Sequence, residues 1–232
     1  MRSLYALATL YLSLAVLQGI SIVAASHSLH EAARKGDISS INELLASSDV
    51  REKINDLDPY GWTPLFWAVD GGKVDAVRAL LNHGADVTKG RDGWSALMWA
   101  CGGIQSEEIV QVFLEEFSAD PNAVSADGKS ALMVACSSGN IPVVTRLLQH
   151  GASVDLAAND GSTALTLAAS EGLVQVAKLL LEAGASCEGD GEGTLWRPPL
   201  ASAVVGGHGE LAKLLLSKGA RPETRSGEDK AT

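Results

Sequence analysis

Residues 61–86 read GWTPLFWAVDGGKVDAVRALLNHGAD, and the same phrase returns along the chain. GWSALMWACGG starts at Gly93, GKSALMVACSSGN at Gly128 and GSTALTLAASEG at Gly161. A fifth form, PPLASAVVGGHGE, starts at Pro198, and a degenerate first form, SLHEAARKGD, starts at Ser28. The leucine that anchors each copy falls at Leu29, Leu65, Leu97, Leu132, Leu165 and Leu200, with spacings of 36, 32, 35, 33 and 35 residues. A second register keeps step with the first, at Leu44-Leu45, Leu80-Leu81, Phe113-Leu114, Leu147-Leu148, Leu180-Leu181 and Leu215-Leu216. After most of these pairs comes Gly-Ala, at Gly84-Ala85, Gly151-Ala152, Gly184-Ala185 and Gly219-Ala220. Each unit therefore reads as a short apolar helix, a turn, a longer apolar helix, a glycine stop and a loop. Glycine suits the left-handed residue that ends a helix. The loops close on Asp92-Gly93, Asp127-Gly128 and Asp160-Gly161, turn pairs in which both residues tolerate positive φ. A unit this small cannot bury its own apolar faces, so neighbours must stack into a continuous core. The alanines Ala68, Ala100, Ala135, Ala168 and Ala203 fit close helix approaches, and Pro142 of Ile141-Pro142 fits a first helical turn.

The period near 33 and the segment Thr63-Pro64-Leu65-Phe66-Trp67-Ala68 resemble the ankyrin repeat, with Ser95-Ala96-Leu97, Ser130-Ala131-Leu132 and Thr163-Ala164-Leu165 as drifted forms. The histidine of that signature stands only at His30. Phe66, Met98, Met133, Thr166 and Ala201 replace it elsewhere, so the hydrogen bonds the family draws from the imidazole are expected to be missing there. The resemblance spans about Ser28 to Pro222 and implies an all-α solenoid of about six helix–turn–helix units with β-hairpin-like finger loops. The units fall near 28–58, 59–90, 91–125, 126–158, 159–193 and 194–225, the first and last degenerate. Arg34, Lys35 and Glu43 are expected to give the front end a polar cap, and Glu210, Lys213 and Lys218 the back. Gly193 to Pro199 takes 6 residues where Gly61 to Pro64 takes 3, so Leu195-Trp196-Arg197 is expected to break the last finger. Residues 226–232 read as a polar tail.

Composition narrows the function classes. The 232 residues, 46% hydrophobic and 20% charged, make a globular chain of one or two domains. With 28 Asp and Glu against 18 Lys and Arg, the formal charge is −10, which repels phosphate backbones and argues against nucleic acid as partner. Residues 1–25 carry Arg2, the uncharged run Leu4–Ala25 and small residues around Val23-Ala24-Ala25-Ser26. That order reads as a cleaved secretory signal peptide, leaving a mature chain from about Ser26 that is secreted or held in a periplasmic or luminal space. The 22-residue run also has the length of a membrane anchor, and a buried helix is the third reading.

Little in the sequence points to catalysis. Three cysteines cannot form a paired framework. Cys101 and Cys136 occupy one register position in consecutive copies, about 8–10 Å apart if helices pack normally, too far for a disulfide. Together with Cys187 they read as small buried hydrophobes. No His/Cys cluster has metal-ligand spacing, and no nucleophile elbow or phosphate loop is present, so neither an enzyme nor a cofactor is expected. The aromatics carry more. Trp62 and Trp94 follow Gly61 and Gly93 at one finger position, and the resemblance implies that this position faces the recognition surface, exposing both rings. The expected contacts to a partner protein are Tyr60, Trp62, Asp70, Arg91, Trp94, Lys129, Ser137 and Ser138. Trp67 and Trp99, inside the first helices beside Phe66 and Met98, are expected in the core. The competing readings are a structural spacer and a membrane-tethered scaffold without a dedicated ligand.

Overall fold

The computed structural model describes residues 29–103, 107–188 and 197–222. The apolar segment 1–25, Leu195-Trp196 and the tail 226–232 lie outside them, as do the expectations attached to those segments. Among the described residues the regular elements are helices, and the chain divides into two compact units between Gly90 and Arg91.

The first unit holds α1 (residues 29–35), α2 (Ile38–Leu45), α3 (Ser48–Arg51), α4 (Pro64–Asp70) and α5 (Val74–Asn82). Its helices α2 and α5 pack together and α4 folds back on α5. Leu29, Ile41, Leu45, Leu65 and Leu80 form its dry interior, each burial worth about 1.5–3 kcal/mol.

The second unit holds α6 (Ala96–Gly102), α7 (Glu107–Gln111, continued by a π turn, Val112–Glu116), α8 (Ala131–Ser137) and α9 (Ile141–Gln149). It continues with α10 (Ala164–Ser170), α11 (Val174–Glu182), α12 (Pro199–Val205) and α13 (Gly209–Ser217). The short helices stack in the order α6, α8, α10, α12, and the long ones as α7, α9, α11, α13. Leu97, Phe113, Leu132, Leu147, Leu165, Leu180 and Leu215 are buried along the seam between the two rows.

The same local chemistry starts each short helix. Thr63, Ser95, Ser130 and Thr163 are extended residues whose side-chain oxygens accept the amides of Phe66, Met98, Met133 and Thr166 at 3.2–3.3 Å. These caps satisfy an orphan donor and are themselves buried. Pro198 precedes α12 with no side-chain cap. Pro142 sits in the first turn of α9, as expected, behind the Asn140 cap.

Gly84, Gly151, Gly184 and Gly219 all take positive φ at the ends of the long helices, as their register predicts. The third copy departs. Phe113 follows its anchor leucine by 16 residues where Leu80, Leu147, Leu180 and Leu215 follow by 15. After the π turn Ser118 stands in the glycine position with φ 49°, and its Ala119 amide reaches back to the Phe113 carbonyl at 2.9 Å. Arg146 of α9 ties this stretch down, donating to Glu115 at 2.6 Å and Glu107 at 3.4 Å.

The expected polar cap at the back is only partly present. Lys213, Lys218 and Glu210 are exposed, yet Val204 (62%), Val205 (70%) and Leu216 (46%) are exposed with them. Val204 falls at the register of Cys101, Cys136 and Ala169, which a following copy covers. Arg34, Lys35 and Glu43 are exposed at the front.

Candidate recognition surface

Three of the fingers are five-residue turns with one repeated bonding scheme. At 58–62 the Asp58 amide donates to the Trp62 carbonyl and Gly61 donates to Asp58; at 125–129 and 158–162 the corresponding bonds recur, all at 2.8–2.9 Å. A side chain completes all three, at 158–162 through Asp160 Oδ1, which accepts from the Ser162 amide at 2.9 Å. Asp58 Oδ1 accepts from the Tyr60 and Trp62 amides at 2.9 Å each, and Ser125 Oγ accepts from the Lys129 amide at 3.0 Å. Isolated antiparallel bridges, Val124 to Ser130 and Ala157 to Thr163, give the expected hairpin character. In the second unit successive fingers bond to each other: Ala126 donates to the Asp92 carbonyl and Asn159 to that of Asp127, both at 3.0 Å.

The Asp-Gly pairs follow the expectation in part. The glycines Gly93, Gly128 and Gly161 take positive φ, but of the aspartates only Asp92 does, in a short 3-10 turn over Arg91–Gly93. Glycine is doubly required at Gly128, where a Cβ would stand 2.7–2.8 Å from Asn159.

These frames place the expected contact residues unevenly. Tyr60, at the tip of the first finger, is 69% exposed. Trp62 is half-buried: its ring lies 5.1 Å from Trp67 and meets Phe66 edge-on at 5.9 Å. Trp94 is also half-buried and T-stacked on Trp99 at 6.2 Å. The expectation of freely exposed tryptophans is corrected accordingly, because each finger ring lies on the aromatic residue of its own helix. The core assignment of Trp67 and Trp99 is corrected as well. Both are half-exposed, since at 3.6 residues per turn the faces of Leu65, Phe66 and Ala68, or Leu97, Met98 and Ala100, already fill the interior. Arg91 is exposed and pairs with Asp92 at 3.2 Å; Lys129 is half-exposed and pairs with Asp127 at 2.9 Å. Asp70, Ser137 and Ser138 are exposed at the far ends of α4 and α8, about 10 Å of helix away from the fingers that precede them. The Ser138 hydroxyl donates to the Val134 carbonyl at 2.8 Å.

A concavity in the first unit, about 510 Å³, was not anticipated. Asp58, Tyr60 and Trp67 line it together with His30, Glu31 and Arg34 of α1. Trp67 Nε1 donates to Asp58 Oδ2 at 2.7 Å, and the buried His30 Nε2 donates to the carbonyls of Asp56 and Trp62 at 3.1 Å. Burial opposes ionisation of Asp58. The Trp62 amide, the Trp67 indole, the Tyr60 amide and the nearby His30 outweigh it and hold the carboxyl below its usual range. The register marks the position, Asp58 standing four residues before Trp62 as Ser125 stands four before Lys129, but the differing side chains there hide its role as acceptor.

The remaining polar chemistry is structural in character. Cys101 and Cys136 are free, buried thiols; burial pushes Cys136 up to about 12 and Cys101 higher. Cys187 is also free, and half-buried where full burial was expected. Among the described residues no group of three His, Cys, Asp or Glu side chains could hold a metal ion, and no helix is long and apolar enough to cross a membrane.

A family model described as ankyrin repeats (3 copies) matches residues 29–124 and 105–190. The chain is 37% identical over 121 residues to the armadillo (Dasypus novemcinctus) protein named "Ankyrin repeat, SAM and basic leucine zipper domain-containing protein 1", over 50% of this chain and 25% of that one. It is 30% identical over 124 residues to human "Transient receptor potential cation channel subfamily A member 1", over 53% of this chain and 11% of that one. The matched region is thus a quarter or less of these relatives' length. Among solved structures, the ankyrin repeat domain of Bcl-3 superposes with a TM-score of 0.73 at 26% identity, covering 85% of this chain and 88% of that one. Ankyrin repeats are generally protein–protein interaction modules. The chain belongs to the ankyrin-repeat family.

Proposed function

We propose that this chain recognises a partner protein, without catalysing a reaction, through its finger hairpins and the exposed ends of its short helices. Tyr60, Trp62 and Asp70 contribute from the first unit; Arg91, Trp94, Lys129, Ser137 and Ser138 contribute from the second. The observation that carries this reading is the finger frame. Backbone bonds hold the finger at 58–62, and the 3-10 turn at Arg91–Gly93 is tied to the next finger through the Asp92 carbonyl, while Tyr60 and Arg91 project into solvent, so little conformational entropy is lost when they are covered. The buried, protonated thiols of Cys101 and Cys136 support a non-catalytic role. The formal charge of −10 favours a protein with basic contact residues over nucleic acid.

The test is site-specific photocrosslinking from the full chain. A benzophenone side chain placed at Tyr60 or at Arg91 is expected to give one saturable adduct, lost in the variant carrying Trp62→Ala and Trp94→Ala. The same probe at Gln175, exposed on the long helix α11, is expected to give none. An equal adduct from Gln175, or capture unchanged in a folded Trp62→Ala, Trp94→Ala variant, would overturn the reading.

A further inference from the structure

The concavity of the first unit has a definite chemical preference. Its volume, about 510 Å³, lies in the range of small-ligand and side-chain pockets. Tyr60 and Trp67 supply aromatic surface, and Glu31, Arg34 and Asp58 supply charge. Glu31 is already neutralised by Arg34 at 2.9 Å and Lys35 at 3.1 Å. Asp58 forms no ion pair with lysine or arginine among the described residues: its carboxylate receives N–H bonds from Tyr60, Trp62 and Trp67, with the His30 ring nearby. Donation of the Trp67 N–H to a carboxylate fixes the indole and makes its ring richer in electrons, which strengthens attraction for a cation over its face. An anionic guest would meet the Asp58 charge and the negative ring faces. An apolar guest would strip water from Asp58 and give nothing back. A cation with an aliphatic stem satisfies both the aromatic surface and a carboxylate that has no lysine or arginine partner among the described residues.

We propose that this pocket anchors a lysine or arginine side chain of a partner protein, its stem along Tyr60 and Trp67 and its charge beside Asp58. The proposal rests on the reading of the fingers as a recognition surface and names the chemistry that one of them selects. The chain's formal charge of −10 steers a basic partner toward it.

The full chain, labelled with 15N at tryptophan, is titrated with the Nα-acetyl methylamides of lysine, arginine, norleucine and glutamate. The readout is the Trp67 indole N–H resonance, identified by its absence in Trp67→Phe. The lysine and arginine compounds are expected to shift it saturably with dissociation constants on the order of millimolar, and norleucine and glutamate are expected not to. Tyr60→Ala is expected to weaken lysine binding by about threefold or more, and Tyr60→Phe to restore it. Because Tyr60 is largely solvated, the alanine variant is expected to melt with the parent chain. Norleucine matching lysine, glutamate binding as well as lysine, or no saturable shift by about 50 mM would overturn the proposal, as would Tyr60→Ala binding like the parent. Photocrosslinking from Arg91 that persists beside such a result would leave partner recognition standing and remove only the basic anchor.

Discussion

At Asp58, burial and hydrogen bonding act on one carboxyl in opposite directions, and bonding wins. Its pKa in the folded chain therefore lies below the ordinary 3.8, so the ionised group stabilises the fold fully above about pH 4. That contribution is lost as the pH falls through the folded value. Asp58→Asn should thus lower the unfolding free energy measured in urea at pH 7, by about 1 kcal/mol for the weakened bonds to the finger amides, and the gap to the parent should narrow as the pH falls below the ordinary 3.8. A gap that stays constant with pH would mean that the charge contributes nothing. The cysteines give a second residue-scale prediction. Cys101 and Cys136 are fully buried and their thiols are held protonated, whereas Cys187 is half-exposed, its own thiol raised more modestly by burial. Alkylation of the native chain at pH 8 should modify Cys187 alone, with the other two reacting only in denaturant. Periodicity made the buried pair legible. The depth of Cys187 was not, because it sits in a loop beyond the helical register.

The long helix of the third copy shows what the repeat register tells at the scale of an element. Helix starts, leucine pairs and glycine stops were readable because each recurs at fixed distance from an anchor leucine. The π turn at Val112–Glu116 left only a trace, a local spacing of 35 that could equally have come from a longer loop. A π turn absorbs one inserted residue inside a helix, and the insertion here pushes Ser118 into the left-handed position that glycine holds in four other copies. A side chain there costs about 1–2 kcal/mol, partly offset by the greater entropy a glycine loses on folding. Ser118→Gly should therefore stabilise the second unit by about 0.5–1 kcal/mol in a urea titration. The orientation of Trp67 and Trp99 was beyond the sequence for a related reason. In a seven-residue helix that is apolar nearly all round, periodicity does not single out the face left uncovered. The finger frame was legible as a turn, but its acceptor was not, since Asp58, Ser125 and Ala158 share a position without sharing a side-chain type.

In a molecule built from stacked hairpins, the same residue type has a different value at an end than inside the stack, because stability is carried between neighbours. Ala169 and Val204 each stand four residues after their anchor leucines, yet Ala169 is fully buried and Val204 is 62% exposed. The difference lies in the neighbour, not in the helix: α12 packs on α10, and no further described hairpin packs on α12. Leu216 and Val205 add to the same bare apolar end. Replacing Val204 and Leu216 by lysine removes little burial, so the cost should stay within about 0.5 kcal/mol of the parent. It should also reduce self-association in light scattering, since exposed apolar patches drive non-specific contacts. Ala169→Lys at the matching register would force an unpaired ammonium between α10 and α12 and should cost several kcal/mol, in practice about the loss of the last hairpin pair. Val204 and Ala169 share one register position, so equal losses in a thermal melt would show that the last described hairpin is covered after all. Unequal losses in the expected order would show that the exposed apolar side chains of α12 and α13 act on self-association rather than on the core.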